Sequence, residues 1–223
     1  MQDPPRVGEY RTVKGEGAYS FAEQKSRFTG RCFPIKSEAE AERILAGLRK
    51  QYWDAAHNCH AFRLGTTGAH ARSSDDGEPS GTAGVPILSV LTRADVTDTL
   101  IVATRYFGGV LLGAGGLVRA YSRAAAGSLK EAGVVHMRAC ALYELEAPYP
   151  LWPALERTLR RDAVVQEVSY LDTVRVQFAV PLPAAAALTK QLAEQTLGKI
   201  LPSKCGTAYL PFPAAPEDEL WKE

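Results

Sequence analysis

The sequence predicts an α+β fold in two domains, and three patterns carry that reading. Strand-like and helix-like periodicities alternate through the first 135 residues around two glycine-rich loops. The composition shifts near residues 134–137. After that shift the segments run strand, helix, strand, strand, helix, strand, the βαββαβ order of a ferredoxin-like domain. The expected limits are 1–135 for an N-terminal α/β domain, 136–212 for the ferredoxin-like domain and 213–223 for a tail. A chain of 223 residues suits one large or two small domains.

In order along the chain, residues 1–8 are polar, carry Pro4 and Pro5, and are expected to fray. Glu9 to Val13 begins a strand that Gly15 and Gly17 interrupt. Phe28, Gly30 and Cys32 alternate as in a strand, which Pro34 ends. Ser37 with Glu40 is a capping-box signature, and Ala41, Ile44, Leu45 and Leu48 follow at helical spacing. A strand is expected over 56–64. Residues 65–84 then form a long connection rich in Gly, Ser, Thr and Asp, of the kind that carries function. A short helix over 84–91 turns Ile87, Leu88 and Leu91 inward, with Pro86 in its first turn. Residues 100–104 make a buried strand with Arg105 at its carboxyl end. Residues 117–132 make a helix whose inner face is Ala120, Tyr121, Ala124, Ala125 and Leu129, stopped by Gly133. In the second half the spacing predicts strand 137–146, helix 150–161, a hairpin of strands 164–170 and 173–180 turning near Leu171-Asp172, helix 183–196 and strand 204–210. The acidic stretch 217–223 is expected to be solvated.

Composition narrows the function. A formal net charge of +1 disfavours a globally basic nucleic-acid binder, so any polyanion contact must be local. Cys32, Cys59, Cys140 and Cys205 are scattered, with neither metal-ligand nor disulfide spacing, and are expected to be reduced and mostly buried. No signal peptide is expected, and no apolar run approaches the roughly 20 residues that span a bilayer. The expectation is a cytoplasmic protein without membrane contact.

The unusual chemistry lies between Asp75 and Arg119. The first loop runs Asp75 to Gly84, the second Arg105 to Gly116. Gly108, Gly109, Gly113, Gly115 and Gly116 bury no side chain, so the second loop needs bare backbone. A glycine loop leading into a helix offers free amides and the positive end of the helix dipole to an anion such as phosphate. Arg105 and Arg119 can add bidentate phosphate contacts. The competing reading is that the glycines allow tight strand–helix packing and that both arginines bond local carbonyls or acids. Neither a Walker sequence nor a strict dinucleotide fingerprint is present. Asp75, Asp76 and Glu78 are candidate cation ligands, but Asp76 and Ser80 fit loop bracing better, because Pro79 and the glycines already specify turns. Ser80 and Thr82 lack an assigned base and a GxSxG elbow, so no catalytic residue is expected. His57, His60 and His70 invite a zinc reading, yet residues three apart on a strand face opposite ways; no metal is expected. His57 and Asn58 are read instead as polar donors near the loops. Tyr106 and Phe107 can stack on a base, which contributes on the order of 1 to 3 kcal/mol, or pack under the loop; burial is expected for Phe107. Lys25, Arg27, Arg63 and Arg72 extend a basic rim or are merely solvated.

Asp75 to Gly84 reads DDGEPSGTAG and Arg105 to Gly116 reads RYFGGVLLGAGG, continuing through Arg119 and Tyr121. These loops closely resemble the signature of the IMPACT/YigZ family. Ser26-Arg27-Phe28 and His57 to Ala61 resemble its shorter motifs. The resemblance implies a left-handed βαβ domain of the ribosomal protein S-five domain-two superfamily, shared with domain IV of elongation factor G. It also implies a ferredoxin-like second domain similar to domain V of that factor. Eukaryotic members regulate translation by interfering with activation of a starvation-sensing kinase, using an extra N-terminal RWD domain for which no room is expected before the motif here. The kinase pathway is therefore not carried over.

The expected function is a noncatalytic, translation-linked regulator that binds RNA or the ribosome, without a cofactor, through Arg105, Arg119, Tyr106, Arg27 and the loop amides. Asp76, Glu78, Ser80, Thr82, His57 and Asn58 complete the candidate site. The alternatives are a small-molecule phosphate enzyme using the same loops and a protein-partner adaptor with purely structural loops.

Overall fold

A computed structural model describes residues 9–213; the expectations for residues 1–8 and for the acidic tail lie outside the described residues. In chain order the elements are β1 (Tyr10–Val13), β2 (Gly17–Glu23), β3 (Ser26–Pro34), α1 (Glu38–Gln51), β4 (His57–Leu64), β5 (His70–Ser74), α2 (Gly84–Arg93), β6 (Thr99–Tyr106), α3 (Gly113–Ala132), β7 (Val134–Ala147), α4 (Trp152–Asp162), β8 (Val164–Tyr170), β9 (Val174–Pro181), α5 (Leu182–Gln195) and β10 (Ser203–Pro213). Two compact units contain them, Glu9–Met137 and Arg138–Leu210.

The first unit is built on an antiparallel sheet of order β2-β3-β6-β4-β5. Strand alternation sends Phe28, Cys32, Cys59, Ala61, Ile101 and Ala103 to one face, where Ile87, Val90 and Leu91 of α2 and Ala120, Tyr121, Ala124 and Leu129 of α3 cover them. Phe62, Leu64, Leu100 and Val102 point to the other face, under Ala41, Leu45 and Leu48 of α1. Ser37 caps α1 by accepting from the Glu40 amide at 3.2 Å. Glu40 returns its carboxylate to the Lys36 amide, one residue outside the usual capping-box partner.

Three features depart from the sequence reading. Residues 65–84 are not one irregular connection: His70–Ser74 form edge strand β5, paired with β4. Its segment is polar and almost wholly exposed, so no apolar alternation announced it. The segment before β3 holds a separate strand, β2, joined to β3 by Gln24 and Lys25 with φ of 44° and 66°. That is the backbone of a tight two-residue hairpin, which usually recruits Asn or Gly; Gln-Lys gives no such signal. Helix α3 also begins four residues before the expected Leu117, within the glycines.

In the second unit β7 pairs with β9 and with β10, and β9 pairs with β8, giving the ferredoxin-like order β10-β7-β9-β8. Leu145, Val176 and Phe178 of the sheet meet Leu155 and Leu159 of α4 and Leu188 and Leu192 of α5. The β8–β9 hairpin turns at Leu171, whose amide bonds the Thr173 carbonyl at 3.0 Å. Residues Val134–Met137 at the start of β7 pair with β1 inside the first unit.

Candidate functional site

The first loop is wrapped around its own carboxylates. Asp75 accepts from the amides of Gly81 (2.8 Å), Ala83 (3.0 Å) and Gly84 (2.8 Å). Burial pushes its carboxyl up, but these three donors outweigh that and hold it below the usual range. Asp76, at φ 43°, accepts from the Asn58 amide at 2.7 Å and pairs with Arg49 at 3.1 Å. Its carbonyl bonds His57 Nδ1 at 2.8 Å. The Asn58 side chain is buried and accepts from the Thr104 hydroxyl at 2.8 Å. Thr82 is buried and donates to the Pro79 carbonyl at 2.6 Å. Ser80 is exposed at the loop surface and takes no part in this bracing, contrary to its sequence assignment.

Glu78 is the centre of the site. One of its oxygens accepts from Arg105 Nη1 and from the Tyr121 hydroxyl, each at 2.7 Å, and His57 Nε2 lies 3.8 Å from the same atom. Arg105 is only 5% exposed, also reaches Ser26 Oγ at 3.4 Å, and sits 5.5 and 5.3 Å from the rings of Phe28 and Phe107. The expectation that Arg105 meets phosphate is therefore corrected. Its charge is buried and neutralised by Glu78, and exposing it would leave that carboxylate unpaired in a low-dielectric interior. Glu78 is correspondingly a structural anion, not an open ligand. Of the rim arginines, Arg63 is buried and donates to the carbonyls of Leu91, Val96 and Thr67. Arg72 pairs with Glu38, while Lys25 and Arg27 are exposed.

Sequence reasoning missed Tyr121, Cys59 and Ser26 as members of this cluster. A buried tyrosine needs a partner for its hydroxyl, and that was the available signal. Cys59 donates to the Asp75 carbonyl at 2.9 Å. Burial, reinforced by the Glu78, Asp76 and Asp75 carboxylates and opposed by the Tyr121 hydrogen bond, pushes its thiol up to about 12. Burial pushes the Tyr121 phenol up as well, with Cys59 and Glu78 adding to it. Both stay protonated at neutral pH, so the cluster offers no ionised thiol or phenol as a nucleophile.

The second loop is open by contrast. A Cβ on Gly108 would fall 2.0 Å from the Lys25 carbonyl carbon, so this glycine lets the loop lie on the β2–β3 turn, where its amide also donates to Ser26 Oγ at 3.2 Å. Gly109 and Gly113 have φ of 81° and 68° with open space around them, so their need is conformational. Gly113, Gly115 and Gly116 open α3, whose N-cap Leu112 supplies no side-chain bond and whose first turn carries no acid. Arg119, one turn further on, is exposed and has no charged or hydrogen-bonding partner among the described residues. It lines a cavity of about 250 Å³ with Phe21, Glu23, Gln24, Leu112, Gly116 and Arg123, in which Glu23 pairs with Arg123 at 3.8 Å. Phe107, expected to be buried, is 51% exposed, because its neighbour Arg105 occupies the space beneath the loop. Tyr106 is half-buried, donates to Asp54 at 2.9 Å and carries Arg27 over its ring at 4.5 Å.

Residues 24–129, which include both loops, match the family model described as the Impact N-terminal domain, and residues 145–199 match a domain of unknown function, DUF1949. The IMPACT family member YvyE of Bacillus subtilis is 38% identical over 191 residues, covering 85% of this chain and 88% of the relative. The chain belongs to the IMPACT family. The IMPACT family member YigZ of Escherichia coli is 31% identical over 180 residues, covering 79% of this chain and 88% of YigZ. A solved structure titled only as that of a hypothetical protein superposes with a TM-score of 0.58 at 27% identity, over 88% of this chain and 97% of its own. The two-domain IMPACT architecture is thus shared. No helix among the described residues is long and apolar enough to cross a membrane.

Proposed function

We propose that this IMPACT family member is a noncatalytic, translation-linked regulator that binds RNA or the ribosome through the second glycine loop and the start of α3. The observation that carries the reading is the uncapped α3 terminus, Gly113 to Gly116, beside the unpartnered Arg119 and its cavity. Free amides and an exposed guanidinium together suit a phosphate. Arg105 is dropped from the contact set; it supports the loop from beneath through Glu78. The phosphate-enzyme alternative asks Asp76 or Glu78 to hold a cation, but Asp76 accepts from Asn58 and Arg49, and the Glu78 pair with Arg105 is buried.

Fluorescence anisotropy of a labelled RNA, titrated between 50 and 200 mM salt, tests this. Affinity should fall steeply with salt, and Arg119→Ala should weaken binding and reduce the slope of log K against log salt by about 1. Salt-independent affinity, or an Arg119→Ala variant indistinguishable from the parent, would overturn it. Leu111 at 83% exposure, next to Val110 and Phe107, favours a second reading in which the same loop docks on a protein. Pull-down of a stable protein partner after nuclease treatment is its signature.

A further inference from the structure

The sheet of the first unit has a face that α1 only partly covers. Helix α1 ends at Gln51, over Phe62, Leu64, Leu100 and Val102, and beyond it the face is polar. Strand register lays it out. Ser20, Thr29, Thr104 and Asn58 lie in one row across four strands, joined in pairs by bonds of 2.9 and 2.8 Å. The flanking rows carry Arg27 beside Tyr106 on one side and Arg31 on the other.

An antiparallel sheet can leave one face to water, so a polar face alone needs no explanation. Three further observations do. Trp53, in the turn that follows α1, is 82% exposed, a large apolar surface left in water. The neighbouring aromatics each carry a planar cation: Arg27 lies 4.5 Å from the Tyr106 ring and Arg31 lies 4.2 Å from the Tyr52 ring. Neither arginine has a carboxylate partner among the described residues; Arg31 Nη2 donates to the Tyr52 hydroxyl, and its Nη1 is enclosed without a hydrogen bond. Of the nearby carboxylates, Asp76 is ion-paired with Arg49 and bonded by the Asn58 amide, while Asp54 accepts from the neutral Tyr106 hydroxyl and keeps its charge. The face therefore combines two guanidinium groups without a carboxylate partner among the described residues, the exposed π-surface of Trp53 and the accessible hydroxyls of Ser20 and Thr29.

We propose that this face binds single-stranded RNA, with an unpaired base stacked on Trp53, a second base on the Arg27–Tyr106 pair, and phosphates at Arg27 and Arg31. Unpaired bases present the π-faces that such stacking needs; in a duplex those faces are stacked on one another. Ser20 and Thr29, at the accessible end of the row, supply hydrogen bonds to base edges or 2′-hydroxyls, while Thr104 and Asn58 are buried and bonded to each other. The partner class is that of the proposed function, while the surface and the requirement for unpaired bases are new.

The test is anisotropy with a labelled ten-nucleotide single-stranded RNA and with a duplex of the same length. Trp53→Ala should weaken single-strand binding about tenfold and leave duplex binding unchanged, and Trp53→Phe should restore most of the loss. An 82% exposed side chain is removable without unfolding, which an unchanged thermal melt checks. Arg31→Ala and Arg27→Ala should each lower the single-strand salt slope by about 1. Arg119→Ala, on the α3 loop, should weaken both RNAs alike. If RNA binds but Trp53→Ala leaves single-strand affinity unchanged, the sheet-face proposal falls and the loop reading stands. If Trp53→Ala acts and Arg119→Ala does not, the loop reading falls alone. If neither RNA binds, both fall.

Discussion

Replacing Glu78 by alanine is the most incisive perturbation of the first unit. Glu78 and Arg105 have side-chain exposures of 3% and 6% and meet at 2.7 Å, so the substitution leaves an uncompensated guanidinium in the interior. Removing one member of such a pair costs about 3–5 kcal/mol. The Tyr121 hydroxyl loses its acceptor in the same change, which adds about 1 kcal/mol or more. Urea denaturation followed by far-UV circular dichroism should register a loss of about 4–6 kcal/mol, with the midpoint shifted and the slope unchanged. Arg105→Ala alone should be destabilising for the converse reason, and the double variant should lose less than the two single losses combined, by about 2 kcal/mol or more. A Glu78→Ala loss below about 1 kcal/mol, or strict additivity in the cycle, would refute the assignment of Glu78 as the hub of the loop.

Three further outcomes follow from the geometry. Gly108→Ala, whose Cβ would collide with the Lys25 backbone, should cost about 1–3 kcal/mol, and a neutral effect on the denaturation midpoint would show that the loop does not rest there. Asp75 has a folded-state value depressed below its ordinary 3.8, so its stabilisation is complete above that value and is lost as pH falls through the lower, folded one. The stability gap between the parent and Asp75→Asn should accordingly be flat above about pH 5 and shrink in acid; a gap that widens in acid contradicts the three-amide brace. Cys205 is exposed while Cys32, Cys59 and Cys140 are buried, and burial pushes those three thiols up. A colorimetric disulfide reagent at pH 8 should therefore titrate one thiol rapidly in the native protein and the rest only after denaturant, whereas fast reaction at Cys59 would show that the cluster opens.

Much of this architecture is local and so was legible in the sequence. The capped helix α1, the buried strand β6, the inner face of α3 and the βαββαβ order each follow from a periodicity that short-range sterics and burial enforce. The two glycine loops were conspicuous as well, and their residues identify the family. What the sequence alone left open was the partner of each charged group, because ion pairing depends on residues far apart in the chain. Glu78 is 27 positions from Arg105 and 43 from Tyr121, and only the register of β6 with β4 and the packing of α3 bring them to one buried point. That tertiary arrangement took Arg105 away from phosphate, turned the first loop into a braced structural element and left Arg119 exposed beside the second loop. It also decided where α1 stops on the sheet, which leaves Trp53, Tyr106 and two arginines without a carboxylate partner among the described residues on one face. Side-chain types and spacing determined the elements, and the desolvation cost of burying charge determined which of those side chains remain free to meet a partner.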